Sequence, residues 1–293
     1  MLEVRVEERP LGHGVVVLGM HRSGTSAVTG MIDALGLPAC RPEDRMPARR
    51  WNARGNYESR SLSLFDERLL NDLGGAWWAP PDLHEGWADD SSLVDLRTEA
   101  ARLFADAHPF ENWVWKDPRA CVLMQFWDLV LGGDMPRIVV LRNPLESAAS
   151  LASRNHMTRE LALALAERSL RSAIHDSEGR PVLITAYDEL MDDVDGWCRR
   201  TTEFIRSNGV AIPSSPPTDV AREFLEPGLR HHRQPELGSE SRAPEGLLRL
   251  WVWARERTGT HQALSIDNLP VESATTEALF QAYRQAPDGP ASY

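Results

Sequence analysis

Short apolar runs alternate along the chain with longer segments of helical periodicity. Four of the runs predict strands, and they lie at residues 14–19 (GVVVLG), 112–116 (NWVWK), 137–141 (RIVVL) and 181–187 (PVLITAY). In the first and third of these predicted strands, the apolar residues follow one another without interruption. This is typical of strands that helices cover on both faces. The alternation predicts an α/β fold with a central, mainly parallel sheet flanked by helices.

Helical periodicity is clearest directly after the first strand. Apolar residues repeat there at i, i+3, i+4 and i+7, which predicts a helix over 25–35 that ends at Gly36. Asp188 is the predicted N-cap of a later helix. The further predicted helices lie near residues 59–73, 92–107, 119–131, 144–154, 158–176, 188–207, 244–258 and 274–285.

The chain is predicted to form one domain over residues 1–293. Its core covers about residues 14–207, and a C-terminal helical extension covers about 220–293. The polar, arginine-rich segment 38–57 predicts a long surface loop, and a loop of that length is usually functional or disordered.

The composition restricts the classes of partner and the cellular compartment that we expect for this chain. The chain has 32 basic and 43 acidic residues, a net charge of −11, which argues against nucleic acid as a partner. The amino terminus is charged, and no stretch is apolar enough to span a bilayer, so we expect no signal peptide and no membrane partner. Cys40, Cys121 and Cys198 are widely spaced, which favours small buried side chains in a reducing, cytoplasmic compartment.

Lys116 is the single lysine among the 32 basic residues. An arginine bias of this kind is typical of a GC-rich, bacterial genome. A lysine retained against that bias indicates a steric or chemical need for a compact ammonium group.

The segment Gly19-Met20-His21-Arg22-Ser23-Gly24-Thr25-Ser26 connects the first strand to the first helix. Strand, Gly-x-x-x-x-Gly turn, hydroxyl pair and helix follow one another in the order of a phosphate-binding loop. The helix amino terminus supplies N–H groups and a positive dipole end, and the glycines let an anion approach the backbone. An ordinary strand-to-helix turn is the alternative, and the position between a buried strand and an amphipathic helix disfavours it.

The loop departs from the nucleoside triphosphatase pattern at one informative position. That pattern has a lysine after the second glycine and a Ser/Thr that holds Mg²⁺. Here Thr25 takes the lysine position, and the cation is Arg22, inside the loop. A guanidinium can bind two oxygens of a transferring group without a metal. A sulfuryl group carries less charge than a terminal phosphoryl group, so its transfer can dispense with Mg²⁺.

This loop resembles the 5′-phosphosulfate loop of sulfotransferases that use 3′-phosphoadenosine 5′-phosphosulfate (PAPS). It is closer to the Arg-Ser-Gly-Thr-Thr form of the tyrosylprotein enzymes than to the Lys-Ser-Gly-Thr-Thr form. The resemblance implies a P-loop fold similar to nucleoside kinases, PAPS as co-substrate and adenosine 3′,5′-bisphosphate as product. It also implies that Arg22 contacts the sulfuryl and bridging oxygens. The implied donor-binding residues of the loop are His21, Arg22, Ser23, Gly24, Thr25 and Ser26.

Two further segments resemble motifs of the same family. Arg142 and Ser150 are eight positions apart, as in the 3′-phosphate motif, although an ion pair with Glu146 is the alternative role for Arg142. Tyr187 begins a segment that resembles the one whose tyrosine lies near adenine, although it could equally be a core aromatic residue. Because the carboxyl ends of parallel strands border one crevice, these residues, Lys116 and the phosphate loop should share one edge of the sheet.

Lys116 lies in Trp115-Lys116-Asp117-Pro118-Arg119, which resembles the Lys-Asp-Pro segment of tyrosylprotein and many bacterial sulfotransferases. The resemblance implies that Lys116 stabilises charge on the sulfuryl group and the leaving phosphate. Arg119 is a further candidate for a nucleotide contact.

The general base that takes the acceptor's proton has several candidates. We favour Glu58, in a Gly-x-aromatic-Glu segment before a helix, and Glu43 competes with it. A carboxylate stabilised by the helix dipole is the alternative role of Glu58. His84 and His156 are held in reserve, and His21 is assigned to packing within the loop.

The acceptor pocket is predicted to lie between the arginine-rich loop 41–60 and the segment that contains Trp77 and Trp78, which favours an apolar or aromatic acceptor such as a natural product. Core packing is the alternative role for at least one of the two tryptophans. The sequence thus predicts a sulfotransferase that moves a sulfuryl group from PAPS to a hydroxyl of a small molecule, with no metal required. The alternatives are a P-loop small-molecule kinase and a catalytically inactive nucleotide-binding protein.

Overall fold

The fold is organised around one five-stranded sheet, in a computed structural model that describes residues 11–47, 55–213, 219 and 243–286. The strands run in the order β2-β1-β3-β4-β5, and β5 alone is antiparallel to its neighbour. This arrangement confirms the predicted α/β fold with a mainly parallel sheet. The strands are β1 (His13–Leu18), β2 (Asn112–Lys116), β3 (Arg137–Leu141), β4 (Val182–Ala186) and β5 (Gly259–His261).

Helices flank the sheet, and most of them lie within two residues of their predicted bounds. Gly36 ends the first helix as predicted, because it adopts a positive φ of 98°. In this conformation the backbone N–H of Gly36 donates to Asp33 O, and the backbone N–H of Leu37 donates to Ile32 O. The helices are α1 (Thr25–Ala34), α2 (Arg60–Asp72), α3 (Val94–Ala107), α4 (Ala120–Leu131), α5 (Pro144–Asn155), α6 (Arg159–His175), α7 (Tyr187–Asp192), α8 (Val194–Ser207), α9 (Glu245–Arg255) and α10 (Ala274–Arg284).

The prediction of one helix over 188–207 with Asp188 as its N-cap is wrong. Two helices occupy this stretch, and Asp193 separates them with a φ of −140°. The side chain of Asp193 accepts a hydrogen bond from the backbone N–H of Gly196 at 2.9 Å, so it is the N-cap of α8. Asp188 lies inside α7.

Strand β5 was not expected, because three partly exposed residues give no apolar run. In the segment predicted as a loop, residues 42–44 form one 3₁₀ turn, and residues 48–54 lie outside the described ranges.

Apolar layers cover both faces of the sheet. Val16 and Leu18 of β1 pack into the layer that includes α2 to α6, α9 and α10, whereas Val15 and Val17 pack into the layer that includes α1 and α8. All four side chains are fully buried. Each contributes about 1.5–3 kcal/mol by burial, which explains why β1 is apolar at successive positions rather than at alternate ones.

The strand order places β1 at a topological switch point. From β1 the chain crosses to β2 on one side and later to β3 on the other side. Ligands of open parallel sheets bind outside the carboxyl ends of the strands at such a point. Here β1 leads into the loop 19–24, β2 ends at Lys116 and β3 leads into Arg142.

Within the described ranges, every helix is too short or too polar to cross a lipid bilayer.

A buried histidine makes the stability of the core depend on pH. His108 follows α3, is 2% exposed and stacks on Phe104 with ring centroids 4.4 Å apart. Burial lowers the pKa of His108 to about 3, below the ordinary value of 6.5. Because the unfolded chain binds the proton more readily, His108 leaves stability unchanged above pH 6.5 and reduces it as the pH falls from 6.5 towards 3.

We expect His108→Leu to reduce this loss of stability in acid. In the wild type, His108 lowers the free energy of unfolding by about 2 kcal/mol as the pH falls from 6.5 to 5, since each pH unit contributes about 1.4 kcal/mol. Urea unfolding of both proteins at the two pH values measures the difference. His84→Gln is the control, since that histidine is exposed. Equal losses in the wild type and His108→Leu would contradict the burial of a neutral ring.

Candidate functional site

The loop after β1 approaches its neighbours too closely for side chains at its two glycines. A Cβ on Gly19 would lie 2.7 Å from Ser23 Oγ, and one on Gly24 would lie 2.3 Å from Cδ2 of Tyr187. Gly24 has a φ of 96°, and Arg22 has a φ of 68° although it is not glycine. Left-handed backbone at a non-glycine residue is uncommon and clusters at functional sites. The loop is therefore shaped by its surroundings and not by local preference.

The amino terminus of α1 presents N–H groups that no side chain caps within the described ranges. Gly24 is the N-cap residue, and the first turn contains no acidic side chain. Ser23 is 4% exposed, and its Oγ has no hydrogen-bond partner in the described part of the chain. Buried hydroxyls nearly always have a hydrogen-bond partner. An unpartnered hydroxyl beside the uncapped N–H groups of a helix is typical of an anion-binding site.

The two predicted phosphate-binding segments contact each other directly. Arg22 Nε donates to Ser150 Oγ at 3.0 Å, and Arg142 Nη1 donates to the backbone oxygen of Arg22 at 3.0 Å. Arg142 also forms the ion pair with Glu146 that was the alternative role, at 3.1 Å. Burial, and after it the charge of Arg142, lowers the pKa of Arg22. The structure therefore brings Arg22, Arg142 and Ser150 together.

Tyr187 lies against the same cluster. The guanidinium carbon of Arg142 is 5.0 Å from the centroid of its ring, which also packs against Gly24. The side chain is 4% exposed. The ring thus packs against both Gly24 of the loop and Arg142, and these contacts are compatible with either of its two predicted roles.

Lys116 and Glu58 form a buried ion pair at the edge of the loop. The Lys116 ammonium donates to Glu58 Oε1, to Ser26 Oγ at 3.2 Å and to the backbone oxygen of Asn56 at 3.3 Å. Lys116 is 2% exposed and Glu58 is 8% exposed. Two candidate catalytic residues from distant parts of the chain therefore meet beside the first turn of α1.

Two buried carboxylates, Asp117 and Asp66, were not predicted from the sequence to have a role at this site. Asp117 is 1% exposed and accepts hydrogen bonds from Ser63 Oγ at 2.5 Å and from Arg119 Nη1 at 3.2 Å. Asp66 is fully buried and accepts from Trp127 Nε1 at 2.9 Å. Burial, and after it the charge of Asp117, raises the pKa of Asp66 well above its ordinary value. The signal for Asp66 was available, because it lies on the apolar face of α2.

Cys121 was also missed. Its Sγ accepts a hydrogen bond from the backbone N–H of Gly19 at 3.1 Å, so it fixes the first residue of the loop. Burial raises the pKa of Cys121 to about 12, which leaves the thiol protonated. Cys40, Cys121 and Cys198 are all buried and form no disulfide, as predicted.

His21 is a residue of the loop, and its side chain contacts a predicted wall of the acceptor pocket. Its ring meets that of Trp77 edge-on, with centroids 5.0 Å apart. Trp78 instead contacts Tyr283 of α10, with centroids 6.1 Å apart. Of the tryptophan pair, Trp77 is the one beside the loop.

The other candidate bases lie elsewhere. Glu43 is exposed on the 3₁₀ turn of residues 42–44, and His156 is exposed at the end of α5. His84 lines a separate cavity of about 480 Å³ together with Arg168 and Arg171. Among the described residues, Glu58 is the base candidate that contacts Lys116.

The fold and this site define an α/β protein with a mainly parallel sheet and a cluster of cations at its switch point. No protein-family model and no curated protein matches the chain. The sulfotransferase domain from the Synechococcus PCC 7002 olefin synthase has a similar structure, with 16% identity over 98% of this chain and 100% of that chain and a TM-score of 0.41. The sulfotransferase domain from the curacin biosynthetic pathway has 12% identity over 97% of this chain and 95% of that chain and a TM-score of 0.42.

Gly24→Ala tests whether the loop needs its close approach to Tyr187. Gly74 is a matched control, because it has a φ of 80° and no described atom within 4 Å of its added Cβ. Both substitutions carry the cost of left-handed backbone, about 1–2 kcal/mol. We expect Gly24→Ala to lower the free energy of unfolding by about 1–3 kcal/mol more than Gly74→Ala does, the usual range for overpacking. Urea unfolding measures both, and equal losses would contradict the contact with Tyr187.

Proposed function

We propose that the protein is a sulfotransferase that transfers a sulfuryl group from PAPS to the hydroxyl of a small molecule. The observation that carries the proposal is the contact of Lys116 with both Glu58 and Ser26 at the edge of a loop that contains its own arginine, Arg22. This arrangement supplies two cations and one carboxylate around a single anion site.

The residues present suit the anionic groups of such a donor. The free N–H groups at the start of α1 and the unpartnered Ser23 hydroxyl suit a 5′-phosphate. Arg142 and Ser150 suit a 3′-phosphate, and both already contact Arg22. Contacts between the two segments would let one nucleotide bridge them.

The distribution of cations favours sulfuryl over phosphoryl transfer. A P-loop kinase relies on the lysine after the second glycine and on Mg²⁺ to offset the charge of a terminal phosphate. In this chain Thr25 occupies that position and is 3% exposed. Arg22 and Lys116 supply the positive charge from other directions, which is sufficient for a less charged sulfuryl group.

Each catalytic role follows from the contacts of the residue. The oxygen of the acceptor hydroxyl forms a bond to sulfur while the bond from sulfur to the phosphate oxygen breaks. Glu58 takes the proton that the hydroxyl loses in this step. Lys116 and Arg22 stabilise the charge that develops on the leaving phosphate. Because a protonated Glu58 attracts Lys116 less, proton transfer makes the ammonium charge available to the leaving group at the moment it is needed.

The acceptor side is assigned to the region of Trp77 and Glu58. Trp77 contacts His21 edge-on and is 9% exposed, and aromatic rings that line a pocket favour an apolar or aromatic acceptor. Part of the predicted arginine-rich wall, residues 48–54, lies outside the described ranges.

Thermal unfolding with candidate ligands tests the donor. We expect adenosine 3′,5′-bisphosphate to stabilise the protein in the presence of EDTA, by about 2.7 kcal/mol at a hundred times its Kd. ATP with Mg²⁺ is the comparison. If ATP with Mg²⁺ stabilises the protein and the bisphosphate does not, the proposal is overturned in favour of a kinase.

Substitution of Lys116 separates its structural role from its catalytic role. Lys116→Met leaves the Glu58 carboxylate buried without its partner, so we expect a loss of about 3–5 kcal/mol in the free energy of unfolding. Adding Glu58→Gln removes the buried charge and should restore most of that loss. Arg249→Met is the control, since it breaks an exposed ion pair with Glu245 and should cost at most about 0.5 kcal/mol.

Neither variant of Lys116 should transfer sulfate, although the double variant should still be stabilised by the bisphosphate. Transfer from ³⁵S-labelled PAPS to a panel of phenols and alcohols measures activity, with the wild type showing which acceptors react. Normal transfer by the stable double variant would show that neither Lys116 nor Glu58 is catalytic.

A further inference from the structure

The position of His21 calls for a role beyond packing. Its ring is part of the loop, next to Arg22, and meets Trp77 edge-on at an angle of 61°. Its Nε2 atom is buried and has no hydrogen-bond partner in the described part of the chain. Buried polar atoms without a partner are rare, and a bound ion is one of the arrangements that completes them.

Four cations from different segments act on this ring. Arg22 belongs to the loop, Lys116 ends β2, Arg119 follows β2 and Arg154 lies on α5. The carboxylates beside two of these cations are engaged in ion pairs. Glu58 pairs with Lys116, and Asp117 and Glu67 lie 3.2 Å and 3.7 Å from Arg119.

These surroundings keep the imidazole neutral. Burial is the largest cause, and the charges of Arg119, Arg154, Lys116 and Arg22 follow, so that the pKa of His21 lies well below 6.5. A phosphate or sulfate group bound among the same cations would offset their charge. The pKa of His21 must therefore rise when an anion binds, whereas the effect of burial remains.

We infer that His21 is the proton-linked group of the anion site, and that it takes up a proton from solvent when a polyanion binds to the loop. The choice of adenosine 3′,5′-bisphosphate as that polyanion rests on the proposed function. The protonated ring adds a positive charge and an Nε2–H donor to the site. Since the bound state holds the proton more tightly than the free state, affinity falls as the pH rises through the bound-state pKa.

Isothermal titration calorimetry tests the inference directly. Adenosine 3′,5′-bisphosphate is titrated into the full chain at pH 6.5, 7.0 and 7.5, each in two buffers of different ionisation enthalpy. The dependence of the observed enthalpy on the buffer gives the number of protons taken up. His21→Gln removes the titrating group and keeps a polar side chain. His175→Gln is the control, since His175 is an exposed residue at the C-terminal end of α6.

We expect the wild type and His175→Gln to take up more protons than His21→Gln, by up to one per ligand bound. Their Kd should also rise with pH more steeply than that of His21→Gln, by up to tenfold per pH unit. Ionisation of the ligand itself contributes equally to all three proteins and cancels in the comparison. Equal proton uptake by the wild type and His21→Gln, with binding intact, would overturn the inference and leave the proposed function standing.

Two further outcomes keep the inference and the proposed function distinguishable. If pyrophosphate binds with proton uptake and the bisphosphate does not bind, the inference stands and the proposed donor is wrong. If neither binds, both are wrong.

Should His21→Gln fail to fold, NMR of ¹³C-labelled histidine in the wild type gives the same answer. One of the nine histidine Cε1 resonances must move to its charged position on addition of the bisphosphate at neutral pH. If all nine remain in place, the inference is wrong.

Discussion

The buried ion pair between Lys116 and Glu58 is the interaction on which the arrangement of the site depends. Two ions removed from water cost several kcal/mol each unless geometry and further hydrogen bonds compensate them. Here the compensation comes from Ser26 Oγ and the Asn56 carbonyl, which also receive hydrogen bonds from the ammonium. The pair therefore ties the end of β2, the start of α1 and the segment before α2 into one unit, and none of the three can shift without leaving a charge uncompensated.

The sheet determines why such distant residues can meet. Strand β1 lies between β2 and β3, so the segments after these three strands emerge at one edge. Lys116 comes from one side of β1, and Arg142 comes from the other side. The loop between them is contacted from both directions, by the ammonium at Ser26 and by the guanidinium at the carbonyl of Arg22. Its left-handed backbone at Arg22 and Gly24 persists because these neighbours fix it.

The predicted strands could be found from the sequence because burial on both faces makes them apolar throughout. The predicted break at Gly36 also follows from local chemistry. By contrast, Asp193 divides α7 from α8 through a side-chain cap within a helical pattern, and periodicity alone does not reveal that. Strand β5 owes its existence to pairing with β4 and not to its own residues.

The roles of single residues at the site divide in the same way. The positions of Arg22, Arg142 and Lys116 at or just after the carboxyl ends of predicted parallel strands were enough to predict that they share one edge of the sheet. The pairing of Lys116 with Glu58 depends on side-chain reach across two segments, and the contact of Cys121 with Gly19 depends on packing, so no spacing along the chain encodes either. Because Lys116 is the single lysine of the chain and is 2% exposed, amine-directed reagents have one side-chain target, and its rate of modification reports how often the interior of the site opens to solvent.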